Sequence, residues 1–246
     1  MNSGFLLINK PAGITSHDVV DQLRKITGIK KIGHAGTLDP FATGLLLVAV
    51  GREATKEISK FVGLDKTYEA EFVIGATTET LDTETPIITP PFQGGAGEGS
   101  ANVTNSEPPL RQEIESAMQS LTGSIEQIPP MYSAIKQQGK KLYELARQGK
   151  TVDREPRSIT IHSFKLIGEP VNEDGLLILP VSISCSSGTY IRALARDLGQ
   201  ALGSTGYVRA LERTQIGPYL LANSQQLADL SQDNWTKHLK HVTLDS

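Results

Sequence analysis

The chain has 246 residues, 24 Lys+Arg against 27 Asp+Glu, a formal charge of −3 and 38 % apolar content. It is long enough for one large core or two small ones, and its Val, Ile and Leu content excludes disorder along the whole length. The longest uninterrupted apolar run, Leu45 to Val50, falls far short of the ~20 residues a membrane span needs, and the single Cys185 excludes an internal disulfide framework or a cysteine-rich zinc site.

The opening Met1-Asn2-Ser3-Gly4-Phe5 has no basic segment, so no signal peptide is expected and a cytoplasmic protein is. Phe5-Leu6-Leu7-Ile8 reads as a short buried strand closed by a turn at Lys10-Pro11-Ala12-Gly13. Thr15 followed by Asp18 matches a capping box, and Val19, Val20, Leu23 and Ile26 recur at helical spacing up to Gly28. Lys30 to Thr43 has no periodicity and reads as a loop. Leu45 to Val50 is apolar on both faces, hence a central strand, and a helix is expected over Arg52 to Val62. Tyr68, Ala70, Phe72 and Ile74 alternate with polar residues as in a half-buried strand.

Between Thr83 and Pro109 the chain is rich in Pro, Gly, Ser and Asn, and about 88–108 is expected to be a mobile surface insert. Leu110, Ile114, Ala117, Met118 and Leu121 form an apolar helical stripe, whereas Ile125 to Gly149 has little apolar periodicity. Strands are expected over Ser158 to Ile167 and Leu176 to Cys185, with Pro180 at an edge or a bulge of the second. A helix with apolar face Ile191, Leu194, Ala195 and Leu198 should end at Gly199. Tyr207 to Thr214 reads as a strand and Gln225 to Leu230 as a short helix. Strands mixed irregularly with helices argue for an α+β fold rather than a regular parallel βαβ series.

The richest stretch is Gly33-His34-Ala35-Gly36-Thr37-Leu38-Asp39-Pro40-Phe41-Ala42-Thr43-Gly44. Its glycines permit positive φ and close backbone approach, and the residue before a proline is held outside the α region, so Asp39 sits on stiff backbone beside a buried strand. A turn in which Asp39 bonds only its own backbone fits the spacing equally well.

This stretch resembles the catalytic motif of the pseudouridine synthases of the TruB family. The resemblance continues in Lys66-Thr67-Tyr68, Ile128-Pro129-Pro130-Met131-Tyr132-Ser133-Ala134-Ile135-Lys136, Gly139-Lys140-Lys141-Leu142-Tyr143-Glu144 and Cys185-Ser186-Ser187-Gly188-Thr189-Tyr190-Ile191-Arg192. The blocks occur in family order. The resemblance implies a pseudouridine-synthase-like α+β fold: a mixed, mainly antiparallel sheet flanked by helices, with a flexible RNA-clamping insertion.

It further implies isomerisation of uridine 55 in the T arm of tRNA. The base is flipped out, its N1–C1′ bond broken, and uracil rejoined through C5, with no metal and no cofactor. A detached uracil must stay in place, which calls for one carboxylate and a closed pocket rather than the two carboxylates of a glycoside hydrolase. By resemblance Asp39 is the nucleophile, Tyr68 stacks on the base and is a candidate to act on a substrate proton, and Arg192 pairs with the catalytic carboxylate. Tyr190 and Leu211 would line the uracil pocket, His34 would fill the gap left by the extruded nucleotide, and Lys66 would contact substrate. Read without the resemblance, Tyr68, Tyr190 and Leu211 fit plain core positions, Arg192 a solvated helix face, and His34 a satisfied loop residue. Glu79, Asp82 and Glu84 offer further acids nearby in sequence.

A protein that coats nucleic acid indiscriminately is strongly basic. Here the basic residues gather instead between Met131 and Ser158, among them Lys136, Lys140, Lys141, Arg147, Lys150, Arg154 and Arg157. Such a local footprint suits phosphate contact, and Lys136, Lys140 and Lys141 are expected to bind RNA. The expected organisation is a catalytic domain over 1–218, with a thumb-like RNA-binding segment at about 125–157, and a short C-terminal tail over 219–246 that is no full PUA domain. The partner is the T stem-loop of tRNA. No membrane or protein partner is implied, and with no heptad or large apolar face a monomer is expected. Two other readings share these residues: a tRNA-folding factor that does not need Asp39, and a hydrolase that would release free base or sugar.

Overall fold

The computed structural model describes residues 3–89, 109–137 and 139–240. In chain order the elements are β1 (Gly4–Lys10), α1 (Ser16–Thr27), β2 (Ile32–His34), β3 (Thr43–Val50), α2 (Arg52–Lys56), α3 (Ser59–Val62), β4 (Lys66–Ile74), α4 (Arg111–Ser120) and β5 (Gly123–Gln127). There follow β6 (Lys136–Gln137), β7 (Lys140–Lys141), α5 (Leu142–Ala146), β8 (Arg157–Leu166), β9 (Val171–Glu173), β10 (Leu176–Cys185), α6 (Ile191–Ala201), β11 (Gly206–Ile216), β12 (Tyr219–Leu220) and β13 (Gln225–Gln226). The chain divides into two compact units, one formed by 1–69 with 211–246 and the other by 70–210; β4 and β11 each have residues in both.

In the first unit the strands lie in the order β13-β1-β3-β11-β4. β1 and β3 pair antiparallel from Gly4 opposite Val50 to Lys10 opposite Gly44, while β13 joins β1 in parallel. Period-2 alternation explains why both faces are buried. Leu6, Ile8, Leu46, Val48 and Val50 pack with Val19, Val20 and Leu23 of α1, and also with Leu227, Leu230 and Trp235. Phe5, Leu7, Leu45 and Leu47 point the other way, onto Ala54, Phe61 and Ile216. Each large apolar side chain so buried is worth about 1.5–3 kcal/mol relative to exposure. The helix start matches the sequence: Thr15 and Asp18 form the capping box, and Gly28 ends α1 in the left-handed region.

In the second unit β4, β10, β8 and β5 are neighbours in that order. β10 pairs antiparallel with β8, β8 with β5, and β9 folds back on β10, while α4 packs against β8 and α6. Each unit is thus a mainly antiparallel sheet with helices, the expected α+β class. β6 and β7 form a separate two-stranded ribbon, Lys136 opposite Lys141.

Several local expectations fail for identifiable reasons. The stretch read as an unbroken loop contains β2, whose three residues around Gly33 are too few to show periodicity. The helix expected over Arg52 to Val62 is broken at Glu57, whose amide turns back to Ala54 O, into α2 and α3. Gly199 does not end α6. A Cβ there would stand 2.4 Å from the Thr205 carbonyl carbon, so the glycine serves close packing inside the helix. Pro180 lies in an interior strand, at the junction between the β9 and β8 pairings, and the bulge falls at Ser184/Cys185. Gln225 to Leu230 is a two-residue strand followed by a 3₁₀ turn, because Gln225 and Gln226 give their backbone to β1. Of the insert expected at about 88–108, all but its first two residues fall outside the described residues; Ile88 itself bridges to Thr77.

Candidate active site

In the first unit Asp39 is half-buried on the loop between β2 and β3. The backbone on either side of it is held by buried polar groups. Leu38 N–H donates to Ser16 Oγ at 2.9 Å, and the same hydroxyl donates to Leu38 O at 3.1 Å. Pro40 O accepts from Gly13 N–H at 2.8 Å and from Lys10 Nζ at 3.2 Å, and Asp39 O accepts from Ala42 N–H at 3.2 Å. Arg213, only 1 % exposed, donates from Nη2 to Gly36 O at 3.1 Å, from Nη1 to Thr37 O at 3.4 Å and from Nε to Leu45 O at 2.8 Å. Gly44, the second residue of β3, has φ +102°, and a Cβ there would stand 2.4 Å from Arg213 O. A glycine is therefore required where loop meets strand.

His34 ends β2, and burial followed by the nearby Arg213 charge lowers its pKa below the ordinary imidazole value. Tyr68 is buried within β4, and Leu211, also buried, offers its carbonyl to Thr43 Oγ1. Lys66 is buried too, with Nζ donating to the carbonyls of Val62 and Leu64 at 2.6 and 2.5 Å. Its ammonium thereby closes the end of α3.

In the second unit Arg192 stands in the first turn of α6 and is 4 % exposed. It pairs with Asp82, itself 1 % exposed, at 3.2 Å, and donates from Nη1 to Thr80 O at 2.7 Å and from Nη2 to Tyr132 O at 3.0 Å. Asp82 Oδ1 accepts from Thr80 Oγ1 at 2.5 Å and Glu84 N–H at 2.9 Å. Next to it Leu81 is held in the left-handed region at φ 61°, costing about 1–2 kcal/mol, and its carbonyl accepts from Val208 N–H at 3.0 Å. Tyr190 caps α6, and Gln127 holds its backbone at both N–H and C=O, at 2.9 and 3.1 Å. Tyr132 donates to Glu79 at 2.8 Å; burial and this bond raise the phenol's pKa.

The ribbon and the chain that follows α5 carry the basic residues. Lys140 is exposed, and Lys141 Nζ reaches the Tyr143 hydroxyl at 3.1 Å and lies 5.2 Å from the ring centroid; Arg147 approaches the same ring at 5.5 Å. Lys136 contributes its backbone to the ribbon. The segment is tied back by Arg154 to Pro129 O and by Gln137 to Asp153 O. Among the described residues no three His, Cys, Asp or Glu side chains gather as a metal-binding group, and no helix among them is long and apolar enough to cross a membrane.

Sequence reasoning picked out Asp82 only as a nearby acid and passed over Ser16, Gln127 and Arg213. The signal for Arg213 was present: it shares strand phase with Leu211, so a charged residue stood at a core-facing position.

The fold is that of pseudouridine synthases. A Cbf5–Nop10–Gar1 complex matches at TM-score 0.65 and 27 % identity, over 92 % of this chain and 53 % of that one. An H/ACA ribonucleoprotein bound to a substrate RNA containing 2′-deoxyuridine matches at TM-score 0.63 and 23 % identity, over 96 % of this chain and 55 % of that one. This chain therefore spans about half the length of those solved chains.

A family model described as TruB family pseudouridylate synthase, N-terminal domain, matches residues 24–191, and one described as tRNA pseudouridylate synthase B C-terminal domain matches 192–246. The tRNA pseudouridine synthase B of Arthrobacter sp. (strain FB24) is 42 % identical over 234 residues, 95 % of this chain and 72 % of that protein. The one from Corynebacterium efficiens is 44 % identical over 233 residues, 95 % of this chain and 73 % of that protein. The chain belongs to the TruB family of pseudouridylate synthases, which are isomerases.

Proposed function

We propose that this pseudouridylate synthase acts on tRNA and converts uridine 55 of the T arm to pseudouridine, with Asp39 as the nucleophile. The observation that supports this most strongly is the Gly33–Gly44 motif, whose backbone is held by Ser16, Arg213 and Lys10 while Asp39 itself stays half-buried. The relatives' name, tRNA pseudouridine synthase B, supports the substrate class.

The target uridine is extruded from the T loop at an unstacking cost of a few kcal/mol, which backbone contacts from the basic residues Lys136, Lys140 and Lys141 in segment 125–157 offset. The Asp39 carboxylate attacks C1′ and the N1–C1′ bond breaks, so that its electron pair leaves on uracil. The uracil anion turns within the closed pocket, C5 attacks C1′, and the aspartyl ester bond breaks to regenerate the carboxylate. A proton then leaves C5 and N1 gains one, so the product is an isomer of the substrate and no water is consumed. Tyr68 stacks on the base, worth about 1–3 kcal/mol, and is the candidate to take the C5 proton. Arg192 supplies positive charge that keeps a carboxylate ionised. On the family resemblance, Tyr190 and Leu211 face the uracil, Lys66 contacts substrate, and His34 fills the gap left by the flipped nucleotide. Residues 1–218 carry the catalysis, and Leu227, Leu230 and Trp235 beyond them complete the core of the unit that holds Asp39.

The test is chemical mapping of pseudouridine in an unmodified T-arm transcript before and after incubation. Pseudouridine at position 55 alone, with all uracil retained in the RNA, is the expected result. Free uracil would replace the isomerase reading with a hydrolase, and modification elsewhere would sink the position.

A further inference from the structure

Ser16 occupies the first turn of α1, yet the helix does not need its hydroxyl. The orphan amides of that turn are served by the reciprocal pair of Thr15 and Asp18, through Asp18 N–H to Thr15 Oγ1 at 3.0 Å and Thr15 N–H to Asp18 Oδ2 at 2.8 Å. Ser16 Oγ instead turns away, buried at 1 % exposure, and takes both polar groups of one residue 22 positions on, the Leu38 N–H and C=O. The Leu38 carbonyl belongs to the peptide plane that carries the Asp39 nitrogen. Fixing that plane fixes the base from which the Asp39 side chain projects.

Arg213 acts on the same loop from β11. It spends its donors on backbone carbonyls: Gly36 and Thr37, three and two residues before Asp39, and Leu45 beyond it. Among the described residues no carboxylate pairs with it. A guanidinium buried to 1 % exposure without a counter-charge is a costly way to stabilise a core, so its retention points to geometry rather than stability.

We infer that Ser16 and Arg213 are positioning residues for the reaction: they set the direction of the Asp39 carboxylate without touching the substrate. The inference rests on the reading of Asp39 as the reacting group. A displacement of about 1 Å at a reacting atom costs on the order of 100-fold in rate, so loss of either hold acts on the chemical step rather than on RNA capture.

The test is single-turnover pseudouridine formation at saturating T-arm RNA, with RNA affinity and melting temperature measured in parallel, for Ser16→Ala, Arg213→Lys and Asp39→Asn. Ser16→Ala should lower the rate constant about 10- to 100-fold while RNA affinity stays within about two-fold. Arg213→Lys keeps the charge but loses the fork, and should fall in the same range. A merely structural role would lower the melting temperature and leave the rate per folded molecule unchanged; that outcome in both variants overturns the inference. If Asp39→Asn is inactive while both variants react at the natural rate, the positioning roles fail and Asp39 stands. If Asp39→Asn is active, the reading of Asp39 fails first.

Discussion

The loop at 36–44 and the segment at 129–157 both lack long regular structure, but they are secured in opposite ways. In the loop, buried donors from Ser16, Lys10 and Arg213 converge on backbone carbonyls around one half-buried carboxylate side chain. In the segment, a few backbone bonds such as Tyr143 N–H to Ser133 O at 3.1 Å hold the frame, while Lys140, Arg147, Lys150 and Arg157 stand exposed. The difference follows from what each has to do. Attack on one carbon tolerates little error in position, whereas attraction of phosphates acts over ~10 Å at 0.1 M salt and tolerates a good deal.

The sharpest way to break this contrast is at the carboxylate. Asp39→Asn should reduce pseudouridine formation by about 10⁴-fold or more with RNA binding intact, read by product mapping and filter binding. Next in size is the buried pair of the second unit. Asp82→Asn removes the buried carboxylate that stands 3.2 Å from the Arg192 guanidinium and should cost about 3–5 kcal/mol, measured as a lowered urea midpoint at unchanged slope.

Replacing Lys140 and Lys141 together with Ala should weaken T-arm binding several-fold and reduce the slope of log affinity against log salt by about 1–2. It should alter the rate at saturating RNA far less than it alters binding. The smallest effect is that of His34. Its pKa is depressed in the folded protein, so the unfolded chain binds more protons below about pH 6.5. The stability this imidazole contributes is complete above that pH and is lost as pH falls toward the folded value. The natural chain should therefore lose more melting temperature between pH 7 and pH 5 than His34→Gln does.

Strong periodicity was legible in the sequence: the buried strands β1 and β3, the capped α1 and the stripe of α4 stand where their apolar spacing puts them. What escaped were elements defined by a partner rather than by their own residues. β2 and β13 exist because β3 and β1 offer free edges, and Gly199 packs inside α6 because residues 205 and 206 press on it. At the candidate site the motif residues were legible, but the side chains that hold them were not. Ser16 and Leu38 lie 22 residues apart, and Gly36 and Arg213 177 apart, so no local pattern reports their contact.

The first unit is completed only by the far end of the sequence. Phe5 and Lys240 exchange backbone hydrogen bonds at 2.9 and 2.8 Å, Gln225 and Gln226 lengthen the edge beyond β1, and Trp235 fills the core beneath α1. Residues 70–210, by contrast, are contiguous. During synthesis that inner stretch can reach its own core while the outer unit still waits for its last strand. A chain held on the ribosome by a linker long enough to bring residues up to about 215 out of the exit tunnel would therefore resist protease in its middle and yield at its beginning.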